Sequence, residues 1–545
     1  MEIESTTHED AAPDFDVVIV GYGPVGQALA ALLGRAGHRV GVFERFGELY
    51  RLPRAVHLDH EIMRLLQSLG LSEFLAEEMV PVDDYRWFGA DGELLLRFEP
   101  RSPAPSGWEG DYMFFQPELE RAIDRHACAP AGVTVQRGWT ADGLVQSDDQ
   151  VELTLRRVTE EEPGRLALTG ETRTVTAGWL VGADGANSFV REASGIGRRD
   201  LGFQERWLVV DAEPHDMAAL GHLPIASQQC DPSRPTTIVQ SGPRHRRWEF
   251  MLLPDEDASD FADPERVWAL LEPWYRPQDG PLTRSAVYEF RSMLADRMRD
   301  RRVLLVGDAA HLTPPFLGQG LCSGLRDAAN VAWKLDLVLR GLASARLLDT
   351  IDPERQPQNE AIIRLAIELG RVLCQLDPAA AAERDAMLRG VDAPPPLELP
   401  PLSDGALHRP AGSAPDPLAG ALSVQGLVRR AGRDGRFDDL VGRGFQLIVA
   451  DDEALGSLST DQRALIDALD MTVASLDPAA PGGVSDLDGR LSEWLVGHSA
   501  YAVLIRPDFY VFGSCPSAGQ LPDLLDDLRS QLQLTSPPAT AGVLP

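Results

Sequence analysis

Three glycines and one acidic residue near the start of the chain have the spacing of a nucleotide-binding turn. Gly21, Gly23 and Gly26 form the pattern GxGxxG, and Glu44 follows them. In such a turn the first glycine permits a tight bend, the second lets the backbone approach a pyrophosphate, and the third allows close helix packing. An acidic side chain at the later position accepts hydrogen bonds from an adenosine ribose. The pattern predicts a dinucleotide site, with a glycine-rich core turn as the alternative.

Two later segments form further polar, glycine-rich loops. ADGANSFVR spans residues 183–191, and VGDAAH spans residues 306–311 and leads into TPPFLGQGLCSG. Each loop follows a short apolar run that predicts a buried strand. Together with GxGxxG, these DG and GD motifs resemble the signatures of the single-component FAD-dependent aromatic hydroxylases, the family that contains p-hydroxybenzoate hydroxylase and phenol hydroxylase. The resemblance covers about residues 14–390 and continues more weakly beyond them.

The resemblance implies a set of FAD contacts. The glycine turn and Glu44 would hold the ADP half of FAD. Asp184 would lie near the pyrophosphate and would also serve the nicotinamide cofactor. Asp308 would accept hydrogen bonds from the ribityl hydroxyls. The loop ending at Leu321 would bring backbone N–H groups to the flavin pyrimidine edge, and a helix beginning near Ser323 would stabilise negative charge there. The implied FAD contacts are Gly21, Gly23, Pro24, Val25, Gly26, Glu44, Arg45, Arg54, Gln116, Asp184, Asp308, Pro314, Gly318, Gln319, Gly320 and Leu321.

Four stretches resemble one group within this family, the 3-(3-hydroxyphenyl)propionate hydroxylases. They are PRAVHLDHE, DPSRP, RRWEFMLLP and IRPDFYVFG. The resemblance implies hydroxylation of a phenolic aromatic acid, 3-(3-hydroxyphenyl)propionate or a close analogue, through a flavin 4a-hydroperoxide with O2 as co-substrate. Because only one dinucleotide fold is apparent, NADH or NADPH would bind transiently as reductant. Two alternatives remain open: a tailoring monooxygenase for a larger aromatic polyketide or antibiotic, and a non-catalytic flavin-binding interaction protein.

Hydroxylation of a phenol needs a group that handles the phenolic proton, because an unperturbed phenol has a pKa of about 10. His57 and Arg54 lie in LPRAVHLDHE, which the resemblance places beside the flavin, and imidazole titrates in the useful range. A structural histidine is the alternative for His57. Tyr288 is a candidate for a hydrogen bond to the phenol, with sheet packing as its alternative, and Asp59 is expected to cap a helix. The candidate cations for a substrate carboxylate are Arg234, Arg246 and Arg247, with surface salt bridges as the alternative.

Alternating strands and helices must position these loops. The glycine turn joins a strand to a helix and a second strand, which together form a βαβ unit. Parallel buried strands precede the other two loops, and an antiparallel sheet with one covered face is expected near the middle of the chain. The expected strands are 16–20, 39–44, 151–155, 173–177, 179–183, 207–211, 248–253, 302–306, 444–450, 470–476 and 501–505, and the expected helices are 27–37, 323–340 and 353–388.

The fold class is therefore α/β, or α+β overall, in three domains. They are a Rossmann-like FAD-binding domain of the p-hydroxybenzoate hydroxylase type, an antiparallel-sheet substrate domain, and a C-terminal thioredoxin-like domain without a CxxC motif. The expected boundaries are a disordered arm at 1–14, the FAD-binding domain at 15–80, 108–200 and 296–390, the substrate domain at 81–107 and 201–295, a linker at 391–418, and the thioredoxin-like domain at 419–535.

Composition limits the partners. The 545 residues include 83 Asp and Glu against 51 Lys and Arg, a formal charge of -32. Such a surface repels phosphate backbones and anionic lipids, so neither nucleic acid nor a membrane is an expected partner. The N-terminus MEIESTTHED lacks the positive region of a signal peptide, and the five cysteines lack metal-binding spacing. We therefore expect a cytoplasmic enzyme without a metal. The resemblance implies a small phenolic substrate, and we expect the chain to form a homodimer.

Overall fold

Residues 12–50, 52–162, 165–391, 398–410 and 415–534 are described by the computed structural model. The expected arm falls outside these ranges except for its last three residues, and the expected linker is described only at 391, 398–410 and 415–418. Within the described residues, no helix combines the length and apolar character needed to cross a membrane.

Each predicted strand overlaps an observed strand, but the predicted strands 173–177 and 179–183 are one continuous strand, β11. In chain order they are β1 (Phe15–Val20), β2 (Val40–Glu44), β3 (His57–Asp59), β4 (Val80–Pro81), β5 (Tyr85–Phe88), β6 (Leu94–Phe98), β7 (Asp111–Met113), β8 (Val133–Arg137), β9 (Trp139–Gln146), β10 (Val151–Glu162), β11 (Arg165–Gly182), β12 (Arg198–Ala212), β13 (Ala226–Gln229), β14 (Thr236–Ser241), β15 (His245–Met251), β16 (Leu282–Ala295), β17 (Arg299–Asp300), β18 (Val303–Leu305), β19 (His311–Leu312), β20 (Leu427–Arg430), β21 (Arg433–Arg436), β22 (Gln446–Val449), β23 (Thr472–Ser475), β24 (Ser485–Asp486), β25 (Ala502–Ile505) and β26 (Val511–Cys515).

The helices lie between these strands and after the last of them. In chain order they are α1 (Pro24–Arg35), α2 (His60–Ser68), α3 (Ser72–Glu78), α4 (Gln116–Ala127), α5 (Phe189–Ala193), α6 (Pro264–Leu271), α7 (Gln319–Leu339), α8 (Ile351–Leu373), α9 (Pro378–Arg389), α10 (Phe437–Val441), α11 (Glu453–Ser457), α12 (Thr460–Ala468), α13 (Arg490–Gly497) and α14 (Leu521–Gln531).

The first sheet carries the three motif loops. Its order is β17-β18-β11-β1-β2-β8, and β10 and β9 continue it from β11. β1 runs parallel to β2 and β11, and β11 runs parallel to β18. The buried valines of β1 explain its central position, because strands of a parallel sheet are covered on both faces. Since β1, β11 and β18 are neighbours, their carboxyl ends bring the three loops to one edge.

The second sheet is antiparallel except for one pair, and its two faces differ. Its order is β19-β16-β12-β15-β14-β13-β5-β6, with β13 and β5 parallel. Leu208 and Val210 of β12 point to one face, where they pack with Trp248 and with Leu271 of α6. Asp211 alternates to the other face, and its neighbours across the strands include charged residues. One face is therefore apolar and covered, and the other is polar.

The C-terminal residues form a small mixed sheet with the order β23-β22-β25-β26. β22 is parallel to β23 and antiparallel to β25, and β25 is antiparallel to β26. With α12, α13 and α14 between and after the strands, this is the βαβαββα arrangement of the thioredoxin fold. The sheet β21-β20-β24 lies beside it.

All three predicted helices differ in their bounds from the observed ones. α1 begins at Pro24 and ends at Arg35, whereas residues 27–37 were predicted. α7 begins at Gln319, four residues before the predicted Ser323, because Gly318 adopts a left-handed conformation with φ 64° and serves as its N-cap. The predicted single helix at 353–388 is two helices, α8 and α9, because the Asp377 side chain caps a new helix that begins with Pro378.

Candidate functional site

The glycine turn has the geometry that its sequence predicts. Gly21 has φ 102°, and a Cβ atom there would lie 2.3 Å from the carbonyl oxygen of Ala183. A Cβ atom on Gly26 would lie 2.2 Å from the carbonyl oxygen of Gly21, so both positions exclude a side chain. Gly23 differs, because no described atom lies within 4 Å of a Cβ built on it. It caps α1 without a side-chain hydrogen bond, which leaves the helix N-terminus open to an anion.

Glu44 lies beside this turn at the end of β2. One carboxylate oxygen accepts a hydrogen bond from the backbone N–H of Tyr22 at 2.7 Å, and the other accepts one from Phe46 at 2.9 Å. These bonds fix the carboxylate next to the open N-terminus of α1. Each oxygen keeps a further lone pair that can accept from a hydroxyl.

Two more carboxylates lie at the ends of the neighbouring strands. Asp184 Oδ2 accepts from the backbone N–H of Val190 at 3.0 Å, whereas its Oδ1 is buried without a hydrogen-bond partner in the described chain. Asp308 follows β18 in a short 3-10 turn, and no hydrogen bond to its carboxylate is found among the described residues. Its side chain is exposed to solvent, and desolvation by the surrounding protein atoms raises its pKa. Unused carboxylate oxygens so placed suit a ligand that donates from hydroxyl groups.

A buried cluster behind the third loop holds Asp308 in place. Asp327 Oδ2 accepts from the backbone N–H of Gly307 at 3.0 Å and lies 2.6 Å from His311 Nε2. Its Oδ1 accepts from Arg355 Nε at 2.8 Å. Burial would raise the pKa of Asp327, but His311 and Arg355 outweigh that effect and lower it to about 2. We call Asp327, His311, Arg355, Gln358 and Asn359 the Asp327 cluster.

The N-terminus of α7 lies against His57. A Cβ atom on Gly318 would lie 2.6 Å from His57 Nδ1, so only glycine fits there. The same ring nitrogen is 3.3 Å from the Gly318 carbonyl oxygen. The thiol of the adjacent Cys322 is buried, which raises its pKa and favours the neutral form. Free backbone N–H groups of the first turn of α7 therefore lie next to an imidazole ring.

His57 is paired with Asp111, a residue that the sequence reasoning missed. The Nε2 atom of His57 is 2.7 Å from Asp111 Oδ1. Burial alone would lower the pKa of His57, but the Asp111 carboxylate outweighs it and raises that pKa well above 6.5. The protonated ring can donate to both Asp111 and Gly318. Asp59 caps α2 through bonds to the N–H groups of Glu61 and Ile62, as predicted.

Arg54 lies in a loop whose backbone is held by the buried side chain of Gln116. Gln116 Oε1 accepts from the backbone N–H groups of Arg54 and Ala55 at 2.8 and 2.7 Å. Gln116 Nε2 donates to Glu120 Oε1 at 2.7 Å, and burial raises the pKa of Glu120 to about 7. The exposed Arg54 guanidinium lies 4.4 Å above the centre of the Tyr50 ring. Gln116 therefore positions the Arg54 loop, a role that differs from the predicted contact with FAD.

The three arginines predicted to bind a carboxylate are engaged by protein oxygens. Arg234 donates to both oxygens of Glu256, at 2.9 and 2.7 Å. Arg246 donates to the carbonyl oxygens of Leu220, Leu223 and Pro224. Their role toward a substrate stays a prediction, and their hydrogen bonds favour a structural role.

Arg247 belongs to a buried group on the polar face of the second sheet. It donates to both oxygens of Asp211, at 2.7 and 3.2 Å, and to the carbonyl oxygens of Pro53 and Arg54. Arg284 lies 3.5 Å from Asp211 and 4.4 Å from the centre of the Tyr288 ring. Within the described chain, Arg284 Nε and Nη1 are buried without a hydrogen bond. The Asp211 cluster comprises Asp211, Arg247, Glu249, Arg284 and Tyr288.

Tyr288 and Glu249 complete this cluster. Burial raises the pKa of the Tyr288 hydroxyl, while Arg284 opposes that shift. Burial also raises the pKa of Glu249, whose carboxylate is 3.5 Å from Arg247. Tyr288 was predicted from the sequence; Arg284 was missed because an arginine within a strand pattern gives no sign of its burial.

Comparison with known proteins gives consistent results for the two parts of the chain. Residues 14–366 match the family model described as FAD binding domain, and residues 420–531 match the one described as HcaD C-terminal domain. The chain is 38% identical, over 94% of each chain, to a probable NADH-specific resorcinol 4-hydroxylase from Rhodococcus jostii (strain RHA1). It is 33% identical, over 92% of this chain and 94% of the relative, to a 3-(3-hydroxy-phenyl)propionate/3-hydroxycinnamic acid hydroxylase from Burkholderia cenocepacia (strain HI2424).

Solved structures share the fold over almost the whole chain. A flavin-dependent monooxygenase in complex with FAD and substrate has a TM-score of 0.78 at 23% identity and covers 96% of this chain and 100% of its own. Aklavinone-11 hydroxylase in complex with FAD and aklavinone has a TM-score of 0.76 at 25% identity, covering 96% and 99%.

Proposed function

Because the chain belongs to the family of FAD-dependent aromatic hydroxylases, we propose that it hydroxylates a small phenol, 3-(3-hydroxyphenyl)propionate or a close analogue, using NADH or NADPH and O2. The observation that carries this proposal is the convergence of three loops at one sheet edge. There an open helix N-terminus lies with two carboxylates, Asp184 and Asp308, that keep unused acceptor oxygens. The relatives from Rhodococcus jostii and Burkholderia cenocepacia are named for phenols that carry a second substituent on the ring.

These residues fit FAD. We assign the pyrophosphate to the α1 N-terminus at Gly23, the adenosine ribose to Glu44 and the ribityl hydroxyls to Asp308. The first turn of α7, after Gly318, would face the flavin pyrimidine edge with its backbone N–H groups. When bound, FAD accepts hydride from the nicotinamide and activates oxygen, which is the chemistry that the side chains cannot supply.

In this assignment the role of His57 differs from the predicted one, because its raised pKa favours the protonated ring. A protonated ring does not accept the phenolic proton. It can donate hydrogen bonds, and its charge lies beside the α7 N-terminus, so both favour negative charge at the same place. Arg54 and Tyr288 remain our candidates for contact with the reacting phenol, because Arg54 lies near enough to affect the pKa of Tyr288.

A second candidate substrate is resorcinol, a neutral diphenol. Arg234, Arg246 and Arg247 are all engaged by protein oxygens, and a substrate without a carboxylate needs no free arginine. The relative that is 38% identical is named for this activity.

Oxidation of NADH and NADPH by the FAD-loaded protein, with product identification, tests both candidates. We expect 3-(3-hydroxyphenyl)propionate to stimulate oxidation and to gain one hydroxyl group. The matched control, 3-phenylpropionate, lacks the phenol and should give no hydroxylated product. Stimulation by resorcinol alone would select the second candidate, and stimulation by bulky polycyclic phenols alone would select the tailoring alternative. A yellow protein that oxidises neither nucleotide with any phenol would be a non-catalytic flavin-binding protein.

We further propose a cytoplasmic location and a homodimer. All five cysteines are free thiols, which fits a reducing compartment. Fractionation of cells tests the location, and light scattering of the purified protein tests the homodimer.

A further inference from the structure

A hairpin of the C-terminal domain enters the flavin-binding domain. It spans residues 506–510, between β25 and β26, and is closed by the backbone N–H of Arg506 donating to Tyr510 at 2.8 Å. Phe509 at its tip packs within the hydrophobic core of the FAD-binding domain, where the Arg64 guanidinium lies 4.5 Å above the centre of its ring. The hairpin therefore contacts residues far from its own sheet.

Buried ion pairs fix one side of this hairpin to α7 and α8. Arg506 donates to Asp508 at 2.6 Å and to Glu354 at 2.7 Å. Glu354 also lies 2.8 Å from Lys334 Nζ, and Asp508 accepts from the indole N–H of Trp333 at 3.0 Å. Burial would raise the pKa of Glu354, but Arg506 and Lys334 outweigh it and lower that pKa to about 2. Charges paired in this way hold the hairpin against both helices.

The other side of the hairpin begins a chain of buried hydrogen bonds. Gln358 Nε2 of α8 donates to the Tyr510 hydroxyl at 3.1 Å, and Gln358 Oε1 accepts from Arg355. Arg355 donates to Asp327, and Asp327 holds the backbone N–H of Gly307. Gly307 directly precedes Asp308. Four buried contacts thus connect the C-terminal domain to the loop that carries Asp308.

We propose that the hairpin at residues 506–510 is a positioning element for the flavin site, with Tyr510 as the residue that orients Gln358 and Arg355. This inference rests on the proposed contact between FAD and Asp308. Arg355 must keep its orientation to satisfy Asp327, because a buried carboxylate is stable only with its full set of partners. The Tyr510 hydroxyl and the carbonyl oxygen of Pro400 both accept from Gln358 Nε2, and Gln358 Oε1 then accepts from Arg355 Nη1. The C-terminal domain then contributes to FAD affinity without touching FAD.

Replacement of Tyr510 by Phe tests the proposal, because it removes the hydroxyl and keeps the ring. Tyr501→Phe is the matched control: its hydroxyl donates to Asp451 within the C-terminal domain, away from Gln358. FAD is removed from each full-length protein, and quenching of flavin fluorescence on titration gives the Kd. We expect Tyr510→Phe to raise the Kd by about two- to tenfold, which is the value of one hydrogen bond, and to shift the flavin absorbance spectrum. Equal Kd values for Tyr510→Phe and Tyr501→Phe would overturn the proposal.

A double-mutant cycle separates transmission along the chain from independent effects. Arg355→Lys keeps the charge but loses the bonds to Gln358, so combining it with Tyr510→Phe should weaken FAD binding less than the product of the two single effects. If the two effects on the FAD Kd multiply, Tyr510 and Arg355 act independently and the proposed series of contacts is wrong. If Tyr510→Phe yields no folded protein, Gln358→Met removes the same link from α8.

Asp308→Ala separates this inference from the flavin assignment. If Asp308→Ala binds FAD normally, the proposed flavin site is wrong. If Asp308→Ala loses FAD while Tyr510→Phe binds like Tyr501→Phe, the flavin site stands and only the positioning role is wrong.

Discussion

The Asp327 cluster and the Asp211 cluster are both buried groups of charges, but they differ in how completely the carboxylate and its arginine partners are hydrogen-bonded. In the Asp327 cluster both carboxylate oxygens and all three nitrogens of Arg355 have hydrogen bonds. In the Asp211 cluster, Arg247 and Arg284 share one carboxylate, and two nitrogens of Arg284 have no hydrogen bond among the described residues. The better-paired network fixes a backbone loop, whereas the less completely paired one lies on the polar face of the second sheet.

The largest effect is expected from Asp327→Ala. It leaves the Arg355 guanidinium buried without a carboxylate, which costs about 3 to 5 kcal/mol in the free energy of unfolding. Urea denaturation measures this loss. The control is Arg199→Gln, which removes a half-exposed pair with Glu360 and should cost less than about 1 kcal/mol. Equal losses for the two variants would remove the distinction between a buried, well-paired carboxylate and a surface pair.

A smaller effect is expected from Asp111→Asn, which changes a pair of intermediate burial. His57 has a folded-state pKa above 6.5, so its charge stabilises the fold fully below about pH 6.5 and loses this contribution as pH rises through the raised pKa. At pH 6 the variant should be less stable by about 1.5 to 3 kcal/mol, the value of a hydrogen bond to a charged group. The gap between wild type and variant, measured from pH 6 to 10, should close as pH rises. A gap that does not depend on pH would show that His57 is neutral.

The smallest effect is expected from Arg284→Met. The methionine keeps the apolar stem and removes a guanidinium with unmade hydrogen bonds, so the free energy of unfolding should change by less than about 1 kcal/mol. Arg247→Met is the matched control in the same cluster; it leaves Asp211 buried without its main partner and should cost about 3 kcal/mol or more. Equal losses for the two variants would mean that Arg284 is as fully engaged as Arg247. Thermal or urea denaturation measures the free energy of unfolding of both variants.

The motif loops were predictable because their residues are neighbours in sequence. Gly21, Gly23 and Gly26 lie within one turn, and apolar runs before each loop identified the parallel strands that bring them together. The resemblance then gave the family, the α/β fold and FAD. Asp377 followed by Pro378 is also a sequence signal for a helix start, and it predicts two helices in place of the one predicted at 353–388.

The partners of these residues were not predictable, because they come from distant parts of the chain. Asp111 lies 54 residues from His57, and Arg326 lies 267 residues from Asp59. No periodicity connects such pairs, and an isolated Asp or Arg has the same appearance on a surface as in a core. The partners of Arg247 illustrate the same limit, because its hydrogen bonds to Asp211 and to two backbone carbonyl groups could not be read from its position in the sequence.

The insertion of Phe509 into the FAD-binding domain is matched by side chains of that domain that pack in the C-terminal domain. While Phe509 packs in the core of the FAD-binding domain, Trp333 and Leu337 of α7 pack in the core of the C-terminal domain. Each domain therefore completes its hydrophobic core with side chains of the other. The two domains are therefore expected to unfold together, although the sequence shows a boundary between them. Cutting the chain at that boundary would expose apolar surface on both fragments, so neither would be an independent folding unit.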